Sequence, residues 1–130
     1  MTRRWLGVAC IGVAVCLATS AAVAQRGGPP RPKRAVIVTG ENSYNGHVWK
    51  ETSAELKNIL DAGKDFAEVV IQPDPNFIAS DEFLTYDVAI FDFRNQNPLA
   101  QEEKVEANLL KFLDRPKGLV TVHWANGAFP

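Results

Sequence analysis

The chain has 130 residues, enough for one domain of ordinary size. It carries 14 basic and 15 acidic side chains, and because Arg3 and Arg4 fall in the first 24 residues, residues 25–130 hold 12 basic against 15 acidic groups, a net charge of −3. Such a weak charge provides no field that would recruit nucleic acid. The composition also excludes collagen, a coiled coil, a multi-pass membrane protein and a disulfide scaffold.

The first 24 residues predict a secretory signal peptide. Arg3 and Arg4 provide a cationic start, residues 5–17 carry no charge, and Ala22 and Ala24 are small residues of the kind that a signal peptidase admits. Cleavage after Ala24 would export the protein to the periplasm or the extracellular space of a bacterium, with no stable membrane association. The alternative is a membrane anchor formed by residues 5–24, which have about the length needed to cross a bilayer.

Both cysteines, Cys10 and Cys16, lie in this leading segment, so the chain after cleavage has no thiol. A disulfide, a thiolate metal site and a cysteine nucleophile are therefore excluded for the mature chain. Residues 25–33 are rich in glycine and proline and contain no apolar side chain, which predicts a flexible leader. The folded domain is predicted to span residues 34–130.

Four short runs of β-branched and other apolar residues indicate strands that are buried on both faces. In chain order these strands are residues 35–38, 67–71, 88–93 and 119–122. A helix over residues 49–62 follows the first strand and ends at Gly63, and a short helical turn is expected at residues 81–84.

A second helix precedes the last strand. Asn97 is its predicted N-cap, Pro98 lies in its first turn, and Pro116 closes it. Glu102 and Glu103 lie near its positive end, where acidic side chains are favourable. Apolar residues at helical spacing predict the buried stripes of the two helices: Trp49, Leu56, Ile59 and Leu60 in the first, and Val105, Leu109, Phe112 and Leu113 in the second.

This alternation of strands and helices predicts an α/β fold, with a parallel sheet, helices on both of its faces and right-handed crossovers. Doubly wound sheets normally continue to a fifth strand. Four strands would leave one face of the last strand and one sheet edge bare. We therefore expect the chain to be the N-terminal part of a longer protein, truncated at its C-terminus.

Both histidines fall in polar loops that follow strands. Ligands of parallel sheets bind beyond the carboxyl ends of the strands, which here are residues 39–47, 92–95 and 123–127. His47 and His123 are the candidate catalytic residues, because only these side chains titrate near neutral pH. The alternatives are a helix-capping role for His47 and a hydrogen-bonded core position for His123.

Asn42, Asn95 and Asn126 are candidate substrate-binding residues, since their amides can bind sugar hydroxyls, although asparagine is also a common turn residue. Trp124 is a candidate for stacking on a sugar face, whereas Trp49 suits the core. The glycine-rich motifs of dinucleotide and nucleoside triphosphate sites are absent from the sequence.

No cofactor is predicted. Two histidines with the carboxylate of Asp92 or Glu41 would suit a divalent metal ion, but their spacing does not require one. The sequence leaves open whether the chain forms a homo-oligomer.

Three segments carry a family resemblance. They are Val-Ile-Val-Thr-Gly-Glu-Asn-Ser at 36–43 with Gly-His-Val-Trp at 46–49, then Tyr-Asp-Val-Ala-Ile at 86–90 with Phe-Arg-Asn at 93–95, and Lys-Gly-Leu-Val-Thr-Val-His-Trp-Ala-Asn-Gly-Ala-Phe at 117–129. Together they resemble ThuA-like (trehalose utilisation) domains of the class I glutamine amidotransferase-like superfamily. The resemblance covers residues 34–130 and about the first half of a family domain.

The resemblance implies a flavodoxin-like three-layer sandwich and a role in carbohydrate metabolism. True glutamine amidotransferases carry a cysteine on the turn after a strand, where this chain has His123, so a cysteine-dependent amidotransferase reaction is not expected. His47 and His123 transfer as site residues without assigned steps. We expect an exported protein that uses its polar cleft on a glycoside or an oxidised sugar, and whether it is an enzyme stays open. The alternatives are a non-catalytic carbohydrate-binding module and an inactive fragment of a longer protein.

Overall fold

The computed structural model describes residues 31–40, 48–95 and 98–129, and four strands in these ranges form one parallel sheet. The strands are β1 (Arg34–Thr39), β2 (Glu68–Gln72), β3 (Val88–Asp92) and β4 (Gly118–Thr121). Their spatial order is β2-β1-β3-β4, with every neighbouring pair parallel. This order matches the first four strands of flavodoxin-like sheets and confirms the predicted α/β class.

β1 is an inner strand, and all of its residues after Arg34 are buried. Ala35, Val36, Ile37 and Val38 are each 0% exposed. Val36 and Val38 face one side of the sheet, while Ala35 and Ile37 face the other, as the alternation of a strand requires. Burying a valine or isoleucine side chain contributes about 1.5–3 kcal/mol, so this strand anchors the core on both faces.

The helix α1 (Trp49–Gly63) covers the face of the sheet that carries Ala35 and Ile37. Leu56 and Leu60 pack there as predicted. The predicted stripe is wrong at Ile59, which is 59% exposed. The residue that takes the left-handed conformation at the end of the helix is Lys64, with φ of 57°, rather than Gly63.

The helix α2 (Glu102–Leu113) covers the opposite face through Val105 and Phe112. It begins later than predicted, with Gln101 at its N-cap position and Pro98 ahead of the helix, while Asn97 lies outside the described residues. Leu113, predicted to be buried, is 48% exposed. Two helices on opposite faces of the sheet give the predicted three layers.

No helix in the described ranges is long and apolar enough to cross a membrane.

The connection between β2 and β3 forms two 3₁₀ helices, Pro75–Ala79 and Phe83–Thr85. The second confirms the predicted helical turn, displaced by one or two residues. The ring of Phe83 stacks on that of Phe112 with centroids 4.7 Å apart. This connection therefore completes the core beneath α2.

β4 is an outer strand of the sheet. It pairs with β3 alone among the described strands. Val120 is 48% exposed, and Thr121 is exposed as well. Because consecutive side chains of a strand point to opposite faces, β4 is incompletely covered on both faces toward its carboxyl end.

Asn108 is a buried polar residue that the apolar pattern of α2 did not reveal. Its side chain is 1% exposed, and its Nδ2 donates to the backbone oxygens of Ile78 at 3.0 Å and Ser80 at 3.1 Å. The two bonds attach α2 to the segment of the first 3₁₀ helix. Without them, the carbonyl oxygens of Ile78 and Ser80 would have no partner in a place that water does not reach.

We expect Asn108→Ala to lower the free energy of unfolding by about 2 kcal/mol, because it removes both bonds and leaves buried carbonyl oxygens unpaired. Urea unfolding monitored by circular dichroism measures the change. Asn58→Ala, at an exposed position of α1, is the matched control and should change stability by less than about 0.5 kcal/mol. Equal effects of the two substitutions would contradict the clamping role of Asn108.

Asp87 ties the end of the leader to the amino-terminal edge of the sheet. Its carboxylate accepts the backbone N–H of Arg34 at 2.8 Å and a guanidinium N–H of Arg31 at 3.0 Å. Partial burial alone would raise the pKa of Asp87, but these hydrogen bonds and the positive charge of Arg31 outweigh it and hold the pKa below its usual value. Residues 31–33 form no helix or strand, yet they are attached to the domain.

Lys117 closes the same edge. Its ammonium donates to the backbone oxygen of Leu84 at 2.6 Å and to that of Tyr86, and it lies 4.8 Å from the ring centroid of Phe112. Burial lowers the pKa of Lys117, with the opposing attraction of Asp87 only partly compensating. The amino-terminal edge is therefore occupied by structural charges.

We expect Asp87→Asn to lower the free energy of unfolding by about 1 kcal/mol at pH 7, because the charge-assisted bonds are lost. A carboxylate whose pKa is lowered by folding stabilises the protein above its unfolded pKa of about 3.9, and this contribution disappears as the pH falls through the folded-state pKa. The gap between the two proteins in urea unfolding should thus close below about pH 4. Asp61→Asn, which removes an exposed ion pair with Lys57, is the control. A gap that persists unchanged at pH 2 would contradict this expectation.

Candidate functional site

Residues at the carboxyl ends of β1, β3 and β4 line a small cavity at one edge of the sheet. Its volume is about 40 Å³, which holds one or a few water molecules. Its polar lining comes from three separate elements. The residues that carry chemistry are Thr52 at the start of α1, Asp92 at the end of β3 with Arg94 just beyond it, and His123 and Trp124 after β4. Gly40, at the described start of the first predicted loop, also lines the cavity. Parallel pairing thus brings residues of all three predicted loops together.

His123 stands on the sharp turn that follows β4. Val122 still pairs with the sheet through its N–H, which donates to the Phe91 carbonyl at 2.9 Å, and a 3₁₀ helix then runs over His123–Gly127. The change of direction takes place at His123, whose φ of 48° lies in the left-handed region. This conformation costs a non-glycine residue about 1–2 kcal/mol. In return the exposed imidazole is fixed at the end of the strand.

Trp124 forms the wall beside the imidazole. Its indole lies edge-to-face with the His123 ring, with centroids 5.0 Å apart, and the Arg94 guanidinium lies 5.2 Å from an indole ring centroid. The side chain is 44% exposed. A wider, shallow opening of about 410 Å³ lies against these three side chains and Asn126.

Asp92 holds the floor of the cavity to α1. Its Oδ2 accepts the hydroxyl of Thr52 at 2.7 Å, and its backbone oxygen accepts the hydroxyl of Thr39 at 2.9 Å. The ends of β1 and β3 and the first turn of α1 are thereby joined. The position of Thr52, in the first turn of a helix that follows a strand, could have marked it as a candidate site residue. Nothing in the sequence, however, indicated that it bonds Asp92.

The predicted site residues are only partly brought together. His123, Trp124 and Asn126 share the shallow opening, where Asn126 Oδ1 accepts the Thr121 hydroxyl at 3.1 Å. Asn95 lies at a different cavity, described below. His47 and Asn42 lie outside the described residues, so their roles stay predictions.

No three histidine, cysteine, aspartate or glutamate side chains meet in a metal-binding arrangement within residues 31–40, 48–95 and 98–129. Glu41 and His47, which belong to the ligand set considered above, lie outside these ranges.

Comparison of the chain with models of protein families, with curated proteins and with solved structures found no match.

The left-handed turn at His123 predicts an unusual order of stabilities. His123→Gly should be more stable than His123→Ala by about 1 kcal/mol, because glycine adopts positive φ without strain whereas alanine retains it. Thermal melting of the two variants measures the difference.

The matched pair Asn126→Gly and Asn126→Ala serves as the control. Asn126 is exposed and does not have a positive φ, so there the alanine variant should be at least as stable as the glycine variant. The same order at both positions would show that His123 is not held in the left-handed region.

Proposed function

We propose that the protein is an exported component of carbohydrate metabolism, related to ThuA-like domains, that binds a glycoside or an oxidised sugar at the carboxyl edge of its sheet. The family resemblance of residues 117–129 supports the substrate class. The arrangement of His123 and Trp124 at that edge supports the location.

One observation carries the proposal: an exposed indole stands against an imidazole, with a guanidinium and an amide beside it. The indole of Trp124 offers an apolar face for the C–H surface of a sugar ring. His123, Arg94 and Asn126 line the same opening and carry groups that bond hydroxyls. Ligand sites combine apolar surface with a few convergent polar groups in this way.

His123 is the group that would transfer protons in such a site. An imidazole can act as a general acid or base, and the left-handed backbone at His123 turns this side chain out at the end of the strand. Both cysteines, Cys10 and Cys16, lie in the predicted signal peptide, whose cleavage would leave the exported chain without a thiol. The proposed chemistry therefore uses an imidazole and no cysteine nucleophile.

The second candidate function is a carbohydrate-binding module without catalysis. The shallow form of the opening at His123 and Trp124 favours it, because among the described residues a wide opening of about 410 Å³ meets a floor cavity of only about 40 Å³. Catalytic sites generally exclude water from the reacting groups, and a wide opening does so poorly.

The test measures binding and turnover of trehalose, maltose, their methyl glycosides and their oxidised derivatives, by calorimetry and product chromatography. Trp124→Ala should weaken sugar binding about tenfold, the upper range for an aromatic contact. Leu110→Ala removes an exposed apolar side chain from α2, 59% exposed against 44% for Trp124, and should leave binding unchanged.

His123→Ala separates the two functions. In an enzyme it should lower turnover by about 10²–10⁴-fold with a smaller effect on affinity. In a binding module the wild-type protein shows no turnover, and the substitution weakens affinity alone. If Trp124→Ala leaves the affinity for every tested sugar unchanged, the proposed location is wrong. If the wild-type protein shows no saturable sugar binding, the proposed function is wrong.

A further inference from the structure

A second cavity lies at the same edge of the sheet, on the side of β2. Its volume is about 470 Å³, within the range of small-molecule sites. The indole of Trp49 and the rings of Pro73 and Pro75 supply apolar walls, and the amides of Asn76 and Asn95 supply polar groups. This cavity lies between the loops that follow β2 and β3.

Asn76 and Asn95, which line this cavity, each hold one amide atom that is shielded from solvent and has no hydrogen-bond partner within the described part of the chain. These atoms are Oδ1 of Asn76, an acceptor, and Nδ2 of Asn95, a donor. The opposite end of the Asn76 amide is fixed, because its Nδ2 donates to Asp74 Oδ1 at 2.9 Å. Unpaired buried amide atoms are rare and destabilising, so each requires a physical explanation.

The chemistry of the two atoms selects a class of ligand. One needs a donor and the other an acceptor, and a hydroxyl group provides both. A carboxylate offers acceptors alone and an ammonium offers donors alone, so neither would satisfy the pair. The carboxylate of Asp74 on the same wall also disfavours an anion. A neutral polyhydroxyl ring, with its C–H faces against indole and proline rings, suits all of these groups.

We infer that the cavity between Trp49, Asn76 and Asn95 is a second sugar subsite, which takes the unit next to the one bound at His123. The inference rests on the proposed function. Trp49 connects the two places, since its side chain lines both this cavity and the cavity of His123. A ligand of at least two sugar units would therefore extend along the carboxyl edge, past Trp49. Because both unpaired atoms are shielded from solvent, the ligand bonds them only after the two amides turn toward the cavity. The Asn95 amide turns about a soft terminal torsion, and the Asn76 amide exchanges its bond to Asp74 for one to the ligand.

Calorimetry with methyl α-glucoside, maltose, cellobiose and sucrose tests the subsite. The wild-type protein should bind at least one disaccharide about tenfold or more tightly than the methyl glycoside, as expected for contacts with a second ring. Asn95→Leu should reduce that advantage by about threefold to tenfold, the worth of one neutral hydrogen bond, and leave the methyl glycoside affinity within about twofold. Asn58→Leu, an exposed asparagine on α1, is the matched control and should change neither affinity.

Thermal melting gives a second readout. Because the Asn95 Nδ2 has no partner, Asn95→Leu should keep or raise the melting temperature, whereas loss of a structural amide would lower it. A lowered melting temperature, or an undiminished preference for the disaccharide in Asn95→Leu, would overturn the subsite. If Trp124→Ala still weakens sugar binding in that case, the proposed function stands alone. Absence of sugar binding by the wild-type protein would overturn both.

Discussion

The parallel pairing of the buried strand β1 with β2 and β3 is the constraint on which the rest of the structure depends. Parallel strands must be joined by crossovers, and these place α1 on one face of the sheet and α2 on the other. The same direction of the strands brings their carboxyl ends to one edge. The register that sets Thr39 opposite Asp92 aligns the ends of β1 and β3, and the Thr39 hydroxyl bonds the backbone of its neighbour there.

The two edges of the sheet differ in how their polar groups are used. At the amino-terminal edge, Asp87 bonds Arg31 and a backbone N–H, and Lys117 bonds backbone carbonyls. Both charged groups therefore stabilise the fold. At the carboxyl edge, His123 and Trp124 are exposed beside open volume. A ligand of the proposed site would therefore meet exposed side chains at one edge of the sheet, while the charged groups of the other edge are already bonded.

Locally unfavourable features, a strained backbone and unpaired polar atoms, also lie together at the carboxyl edge. The left-handed backbone at His123 and the unpaired amide atoms of Asn76 and Asn95 are each unfavourable, and all lie near the ends of the strands. Such unfavourable features persist only where the surrounding structure holds them in place. Here the surrounding structure is the buried core that includes Phe91. Features of this kind cluster at functional sites more often than elsewhere, which agrees with the sugar binding that we propose for this edge.

The sequence by itself determined the α/β class, the four strands and the loops that meet at the carboxyl edge, because short β-branched runs and strand-following polar residues are local signals. It did not determine that Asn108 is buried while Ile59 is exposed. Helical periodicity indicates which face of a helix is apolar, but not which residues at the margin of that face its neighbours cover. The sequence also grouped Asn95 with Trp124, whereas tertiary packing puts Asn95 in a separate cavity with Asn76. Which side chains meet was decided only by the tertiary structure, because strand order and loop conformation place residues distant in sequence side by side.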